Sequence, residues 1–252
     1  MQDREKDNGG GERPLPALVD LDIGMGRTGA ATPEDAVAIA VRLDRSARFA
    51  YAGLQACPGR VQHIIAYHER AATYGRQLDR LEETLTSLAR NGLPPATVSG
   101  GGTGTFAIDV ERKLYTESQA GAYCLMDVDY DLVELFPGAA NPYRFALHLR
   151  TAVVSANQPG HVTISAGFKS LATDGPPAQV RQGHWPGTTY AFFGDEFGKI
   201  STPDGAARPG VGDIADVQAS HCDTTINLHD FYHVVDDDTV VDIWPIDARG
   251  ML

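Results

Sequence analysis

The sequence predicts an α/β chain whose first part is a parallel sheet or barrel of βαβ units and whose second part is rich in β-structure. Three observations carry this. Short apolar runs alternate with helical periods over the first half of the chain, and glycine or proline closes each run. Beyond about Asn141 the texture becomes β-like, with no long helical period. Strand–helix alternation with short loops is the mark of parallel βαβ units.

The elements follow in order. Leu15–Ile23 (LPALVDLDI) is a continuous apolar run closed by Gly24-Met25-Gly26, the form of a strand buried on both faces. Thr32-Pro33-Glu34-Asp35 supplies an N-cap, a proline in the first turn and acidic residues there, so a helix runs on through Val37, Ala40, Val41 and Leu43. A second strand is expected at Phe49–Gln55. A long helix should span about Val61 to Arg90, its Leu78, Leu81, Leu85 and Leu88 forming one buried stripe. Asn91-Gly92 ends it, with Pro94 and Pro95 just beyond. Ala96–Ser99 reads as a third strand and Gly121–Tyr130 as a fourth. The expected organisation is a leader at 1–14, an α/β domain at 15–140 and a β-rich domain at 141–252.

Composition narrows the function classes. The net charge of −12 argues against a nucleic-acid partner. No apolar run approaches the roughly 20 residues of a spanning helix, and the leader has no apolar core, so neither a membrane nor a secretory signal is expected. Cys57, Cys124 and Cys222 are odd in number and lack CxxC spacing, which fits a reduced cytoplasmic setting.

Four segments could carry chemistry. Gly100-Gly101-Gly102-Thr103-Gly104-Thr105 follows a strand, and glycine N–H groups with threonine hydroxyls can converge on an anion. A flexible turn is the competing reading, and the absence of a Walker lysine argues against a nucleotide loop. In Ser220-His221-Cys222-Asp223, an extended backbone would put His221 and Asp223 on one side, able to grip a divalent ion such as Mn, Mg or Zn. A turn with a solvated histidine and a capping aspartate is the alternative. His63, after a strand end, has the residue type of a general base, although a lone histidine is more often structural. Arg27, in the glycine-rich segment Asp22–Gly29, suits an anionic or phenolate oxygen or else a surface turn.

In order along the chain, VDLDIGMGRTG, FAYAGLQACPGRVQH, TVSGGGTGTF, YTESQAGAYCLMDVDY, ISAGFKSLATDG, SHCDTTINLHD and VVDIWPIDARG resemble the D-threonine aldolase/D-serine dehydratase-like group of alanine-racemase-type, fold type III enzymes that use pyridoxal 5′-phosphate (PLP). The resemblance implies a partial TIM-type PLP-binding barrel followed by a β-rich metal-binding domain, a homodimer and a D-amino acid substrate. It implies that Arg27 contacts the PLP phenolic oxygen and that Gly102, Thr103, Gly104 and Thr105 cradle the phosphate. His221 and Asp223 would bind the metal, and His63 would take the proton of the substrate 3-hydroxyl. The His-x-Asp pattern resembles the aldolases, which give glycine and an aldehyde; the dehydratases resemble His-x-Cys. A D-serine or 3-hydroxyaspartate dehydratase, or a non-catalytic remnant pairing with a full-length homologue, is the alternative.

Some family features are not matched. The Schiff-base lysine of an arginine-proline-histidine-x-lysine segment has no counterpart, the lysines being Lys6, Lys113, Lys169 and Lys199. Cys57-Pro58 stands where the family usually has a tyrosine, and Ser165 where an aspartate is common. A barrel of about 250 residues with a β domain needs roughly 350, so the first barrel strands are expected to be missing, and the lysine half with them.

Overall fold

A computed structural model describes residues 13–181 and 185–250. The expected leader, residues 1–14, lies outside the described residues apart from Arg13 and Pro14, and Lys6 lies outside with it. The chain divides into two compact units, one ending at Ala120 and one beginning at Gly121. This falls ahead of the expected 140/141 boundary. The reason is packing: Ala122, Met126, Tyr130, Val133 and Leu135 share a buried cluster with Cys222, far along the chain.

The first unit runs β1 (Leu15–Asp20), α1 (Pro33–Asp44), β2 (Phe49–Ala56), a 3-10 turn (Gly59–His63), α2 (Tyr67–Arg90), β3 (Thr97–Gly100), α3 (Phe106–Arg112) and β4 (Glu117–Ser118). The sheet order is β1-β2-β3-β4 and every pair is parallel. This is an open arc of a barrel, with roughly half the strands of a closed one. Thr32 caps α1, its hydroxyl accepting the Asp35 N–H at 3.1 Å, with Pro33 in the first turn. In α2, Leu78, Leu81 and Leu88 are fully buried, and Leu85 packs beside them. Each fully buried leucine contributes about 1.5–3 kcal/mol.

Two expectations change. The long helix begins at Tyr67, because Gly59–His63 forms a separate 3-10 turn. The Arg70 guanidinium holds the turn's exit, donating to the Ile64 and Ile65 carbonyls at 2.5 and 3.2 Å. The fourth strand is Glu117–Ser118, and the expected strand at Gly121–Tyr130 is absent. In its place are a 3-10 turn at Ala122–Cys124 and a short helix, α4 (Val128–Asp131). Met126 takes a positive φ of 54°, which breaks any strand, and the Asp127 carboxylate caps α4 through the Tyr130 N–H at 2.9 Å.

The second unit is built on an antiparallel sheet, as its β-rich texture implies. Its strands are β5 (His148–Gln158), β6 (His161–Ile164), β7 (Gln179–Val180), β8 (Thr189–Phe192), β9 (Gly198–Ser201) and β10 (Ile214–Gln218), in the order β7-β10-β5-β6-β9-β8. Val153, Val162, Ile164, Ile200, Ala215 and Val217 form its core. A helical turn, α5 (Cys222–Ile226), follows β10, and a hairpin of β11 (Phe231–Asp236) and β12 (Thr239–Pro245) completes the unit. Among the described residues, no helix is long and apolar enough to cross a membrane.

Arg150 and Asp216 face each other across β5 and β10. The guanidinium grips both carboxylate oxygens, at 2.9 and 3.1 Å, and Asp216 is 4% exposed. The Arg150 hydrogen bonds hold its carboxyl below the ordinary range. A depressed carboxyl stabilises the fold above the unfolded value of about 4 and loses that contribution as acid protonates it. Asp216→Asn is therefore expected to cost about 1.5–3 kcal/mol at pH 7. The difference from wild type should shrink as the pH falls below about 4, read by urea denaturation across pH.

Candidate active site

Parallel pairing of β1, β2 and β3 sends the loops after these strands to the same end of the sheet. That end is where parallel α/β folds build their sites. The first loop carries Arg27, the second His63 and the third the glycine-threonine segment.

The first loop is shaped by a single carboxylate. Asp22 accepts the N–H groups of Gly24, Met25 and Gly26 at 2.8, 2.8 and 3.1 Å. These bonds, Gly26 first, pull its carboxyl below the usual range. Arg27 then stands exposed at the loop's tip, and Thr28 ties the return to Asp20 at 2.8 Å.

The second and third loops are packed together. His63 ends the 3-10 turn and is exposed, while the loop from Gly101 to Thr105 is buried. A Cβ on Gly102 would collide with the Gln62 side chain, and one on Gly104 with the Gln62 carbonyl. The glycines therefore let the loop backbone lie directly on the residue that precedes His63. Close approach explains their presence, and an anion-cradling donor set of glycines and threonines fits the same place.

The expected cradle divides in two. The Gly102 N–H and the Thr105 hydroxyl are committed to the Asp109 carboxyl, the latter at 2.9 Å. The Thr105 N–H bonds the Gly102 carbonyl at 3.1 Å. Thr103 and Gly104 lie between these two anchored positions and are buried. Lys113, the first unit's only described lysine, caps the far end of α3 with a φ of 54°. In a strand–helix–strand unit that end lies away from the three loops.

In the second unit, His221 and Asp223 are brought together, although not by strand alternation. His221 is extended at the N-cap of α5, and Asp223 lies in the first turn of that helix. The imidazole Nε2 and the Asp223 carboxylate are 3.5 Å apart. Two ligands at about 2.0–2.2 Å from one ion are separated by a similar distance. On the other side Nδ1 meets Asp174 at 2.9 Å, and the Thr224 hydroxyl donates to Asp174 at 2.7 Å. A carboxylate on the second ring nitrogen is the usual device for orienting a ligand histidine. Among the described residues, no group of three or more His, Cys, Asp or Glu side chains is placed to hold a metal ion.

The electrostatics follow the geometry. His221 is pushed up to about 9, by the Asp223 hydrogen bond first and by Asp174, against burial. The His221 hydrogen bond lowers Asp223. At Asp174 burial opposes ionisation, but the Thr224 and His221 bonds win and its carboxyl is lowered. Buried Asp127 fixes the backbone, accepting the Cys222 N–H at 2.9 Å. Cys222 is fully buried, and its thiol donates to the Asp223 carboxylate at 3.7 Å.

Three residues that bond to these candidate segments were not singled out by the sequence: Tyr74, Asp109 and Asp174. Asp174 lies 47 positions from His221, and Tyr74 lies 35 from Asp109, so no local spacing signals either pairing.

Residues 3–128 match the family model described as alanine racemase, N-terminal domain. The chain belongs to that family. Residues 146–235 match the putative serine dehydratase domain, so the chain has the two-part make-up of the D-threonine aldolase/D-serine dehydratase-like, fold type III group. It is 38% identical over 238 residues to a D-threonine aldolase of an Arthrobacter species, covering 94% of this chain and 61% of that protein. It is 32% identical over 240 residues to a 3-hydroxy-D-aspartate aldolase of Paracoccus denitrificans, with the same coverage of 94% and 61%. The crystal structure of D-threonine aldolase from Filomicrobium marinum superposes with a TM-score of 0.87 at 32% identity, over 94% of this chain and 63% of that one. The chain thus spans less than two thirds of the length of these relatives.

The packing of the glycine loop predicts a contrast in sign. Gly104→Ala forces a Cβ against the Gln62 backbone and should cost about 1–3 kcal/mol. Gly75→Ala, inside α2 with its nearest neighbour at 4.0 Å, should gain about 0.5–1 kcal/mol. Chemical denaturation of the two variants checks both.

Proposed function

We propose that the chain is the phosphate- and metal-holding part of a PLP-dependent lyase that cleaves D-3-hydroxy amino acids to glycine and an aldehyde. One observation carries the reading. Arg27, His63 and the glycine-threonine loop leave the same end of three adjacent parallel strands, and the loop rests on the His63 segment. The names of the aldolase relatives supply the substrate class.

In this reading Arg27 meets the phenolic oxygen of the cofactor, and the Gly102–Thr105 loop holds its phosphate. PLP, when bound, supplies the sink for the electron pair left at Cα. His63 takes the proton from the substrate 3-hydroxyl. The Cα–Cβ bond then breaks, that oxygen becomes the aldehyde carbonyl, and Cα takes up a proton to leave glycine. In the second unit His221 Nε2 and Asp223 hold a divalent ion (Mn, Mg or Zn), whose chemistry is to polarise a hydroxyl oxygen, while Asp174 fixes the imidazole. The catalytic lysine belongs, in this reading, to a segment outside this sequence, and the working assembly is a homodimer.

A second reading, a D-serine or 3-hydroxyaspartate dehydratase, draws on the match of residues 146–235 to the serine dehydratase domain. The two differ in products. To test them, the part of the Arthrobacter protein that this chain does not span is co-expressed with it, and D-threonine is added with PLP and Mn²⁺. Glycine and acetaldehyde in equal amounts are expected, and His63→Ala should lower kcat by about 100-fold or more. Ammonia and a 2-oxo acid in their place would move the assignment to the dehydratase. No turnover of D-threonine or D-serine would overturn both.

A further inference from the structure

Beneath the glycine loop lies a buried polar cluster that no step above uses. Asp109, on α3, is 8% exposed, and Tyr74 and Thr105 are fully buried. The Tyr74 hydroxyl donates to Asp109 at 2.7 Å, the Thr105 hydroxyl donates to its other oxygen at 2.9 Å, and the Gly102 N–H donates to the same carboxyl. The Tyr115 phenol extends the cluster. Its oxygen is 3.1 Å from that of Tyr74, it donates to the Ala56 carbonyl at the end of β2 at 3.0 Å, and it accepts the Gly101 N–H. A Cβ on Gly101, whose φ is +70°, would collide with the Asp109 carboxyl.

Such a group costs several kcal/mol to bury unless its acceptors are met. Here three donors from α2 and the loop meet them, all of them neutral groups. Burial raises the Asp109 carboxyl and keeps Tyr74 a phenol, so Tyr74 remains a donor. The Asp109 oxygens accept from the Tyr74 and Thr105 hydroxyls and from the Gly102 N–H, a group that can only donate. That fixes the direction of the Gly102 peptide and of the Thr105 side chain, and so the shape of the turn between them.

We infer that Asp109 is the positioning residue of the phosphate loop. It draws the Gly102 N–H and the Thr105 hydroxyl inward, and so sets the Thr103–Gly104 segment in the form that receives the phosphate of a pyridoxal-type cofactor. This rests on the function proposed above. Tyr74 is the strut that connects Asp109 to the buried stripe of α2.

The test uses the full chain and two ligands without an aldehyde, pyridoxamine 5′-phosphate and pyridoxamine, whose binding requires no lysine. Calorimetry gives the ratio of their affinities, which isolates the phosphate's share. The wild type should favour the phosphorylated form by at least about tenfold, and Asp109→Asn should reduce that ratio about tenfold with pyridoxamine binding unchanged. General destabilisation would weaken both ligands alike and leave the ratio in place. Should Asp109→Asn fail to fold, Tyr74→Phe keeps Asp109 and the whole loop but removes one donor to Asp109, and the ratio should fall there too. An unchanged ratio in the folded variants overturns the inference alone. No phosphate preference in the wild type overturns the cofactor reading and the inference together.

Discussion

Parallel strand pairing is the constraint on which the first unit depends. A parallel pair cannot be joined by a tight hairpin, so every connection has to cross back through a helix or a long loop. The loop leaving each strand then emerges at the same end as its neighbours. That is why Arg27, His63 and Gly102–Thr105, spread over much of the unit in sequence, share one end of the β1-β2-β3 arc. Glycine turns this proximity into contact, since a side chain at 102 or 104 would hold the loop off Gln62.

Carboxyls supply the local precision. Asp22 and Asp127 each gather backbone N–H groups, and Asp109 accepts one with two hydroxyls; each fixes a segment that carries candidate chemistry. In each case the acid accepts hydrogens that the backbone of an irregular loop would otherwise leave unmet. The energetic role is the same, but the exposures differ: Asp22 works near the surface, while Asp109 and Asp127 sit inside. His221 is handled differently. Its ring lies between two acids, Asp174 at Nδ1 and Asp223 at Nε2.

The family match fits this architecture. The alanine racemase N-terminal domain covers the parallel arc and reaches residue 128, just into the second unit, and the serine dehydratase domain covers the antiparallel sheet through the His221 turn. Cys222 illustrates how position decides chemistry. It lies between His221 and Asp223 yet packs into an apolar cluster with Met126 and Tyr130, where burial keeps its thiol protonated.

By itself the sequence determined what depends on near neighbours along the chain. The cap at Thr32, the leucine stripe of α2, the strands at Leu15–Asp20 and Phe49–Ala56 and the β-rich second part all show in local pattern. The candidate residues were legible by type and by resemblance, as was the pairing of His221 with Asp223, two positions apart. The tertiary structure decided the rest. Gly121–Tyr130 has the apolar content of a strand, but Met126 turns left-handed and the segment packs against the Cys222 turn. Asp174 on His221 and Tyr74 on Asp109 are pairings across 47 and 35 residues. A short-range pattern carries no information about such contacts, because only the tertiary packing within each unit brings those side chains together.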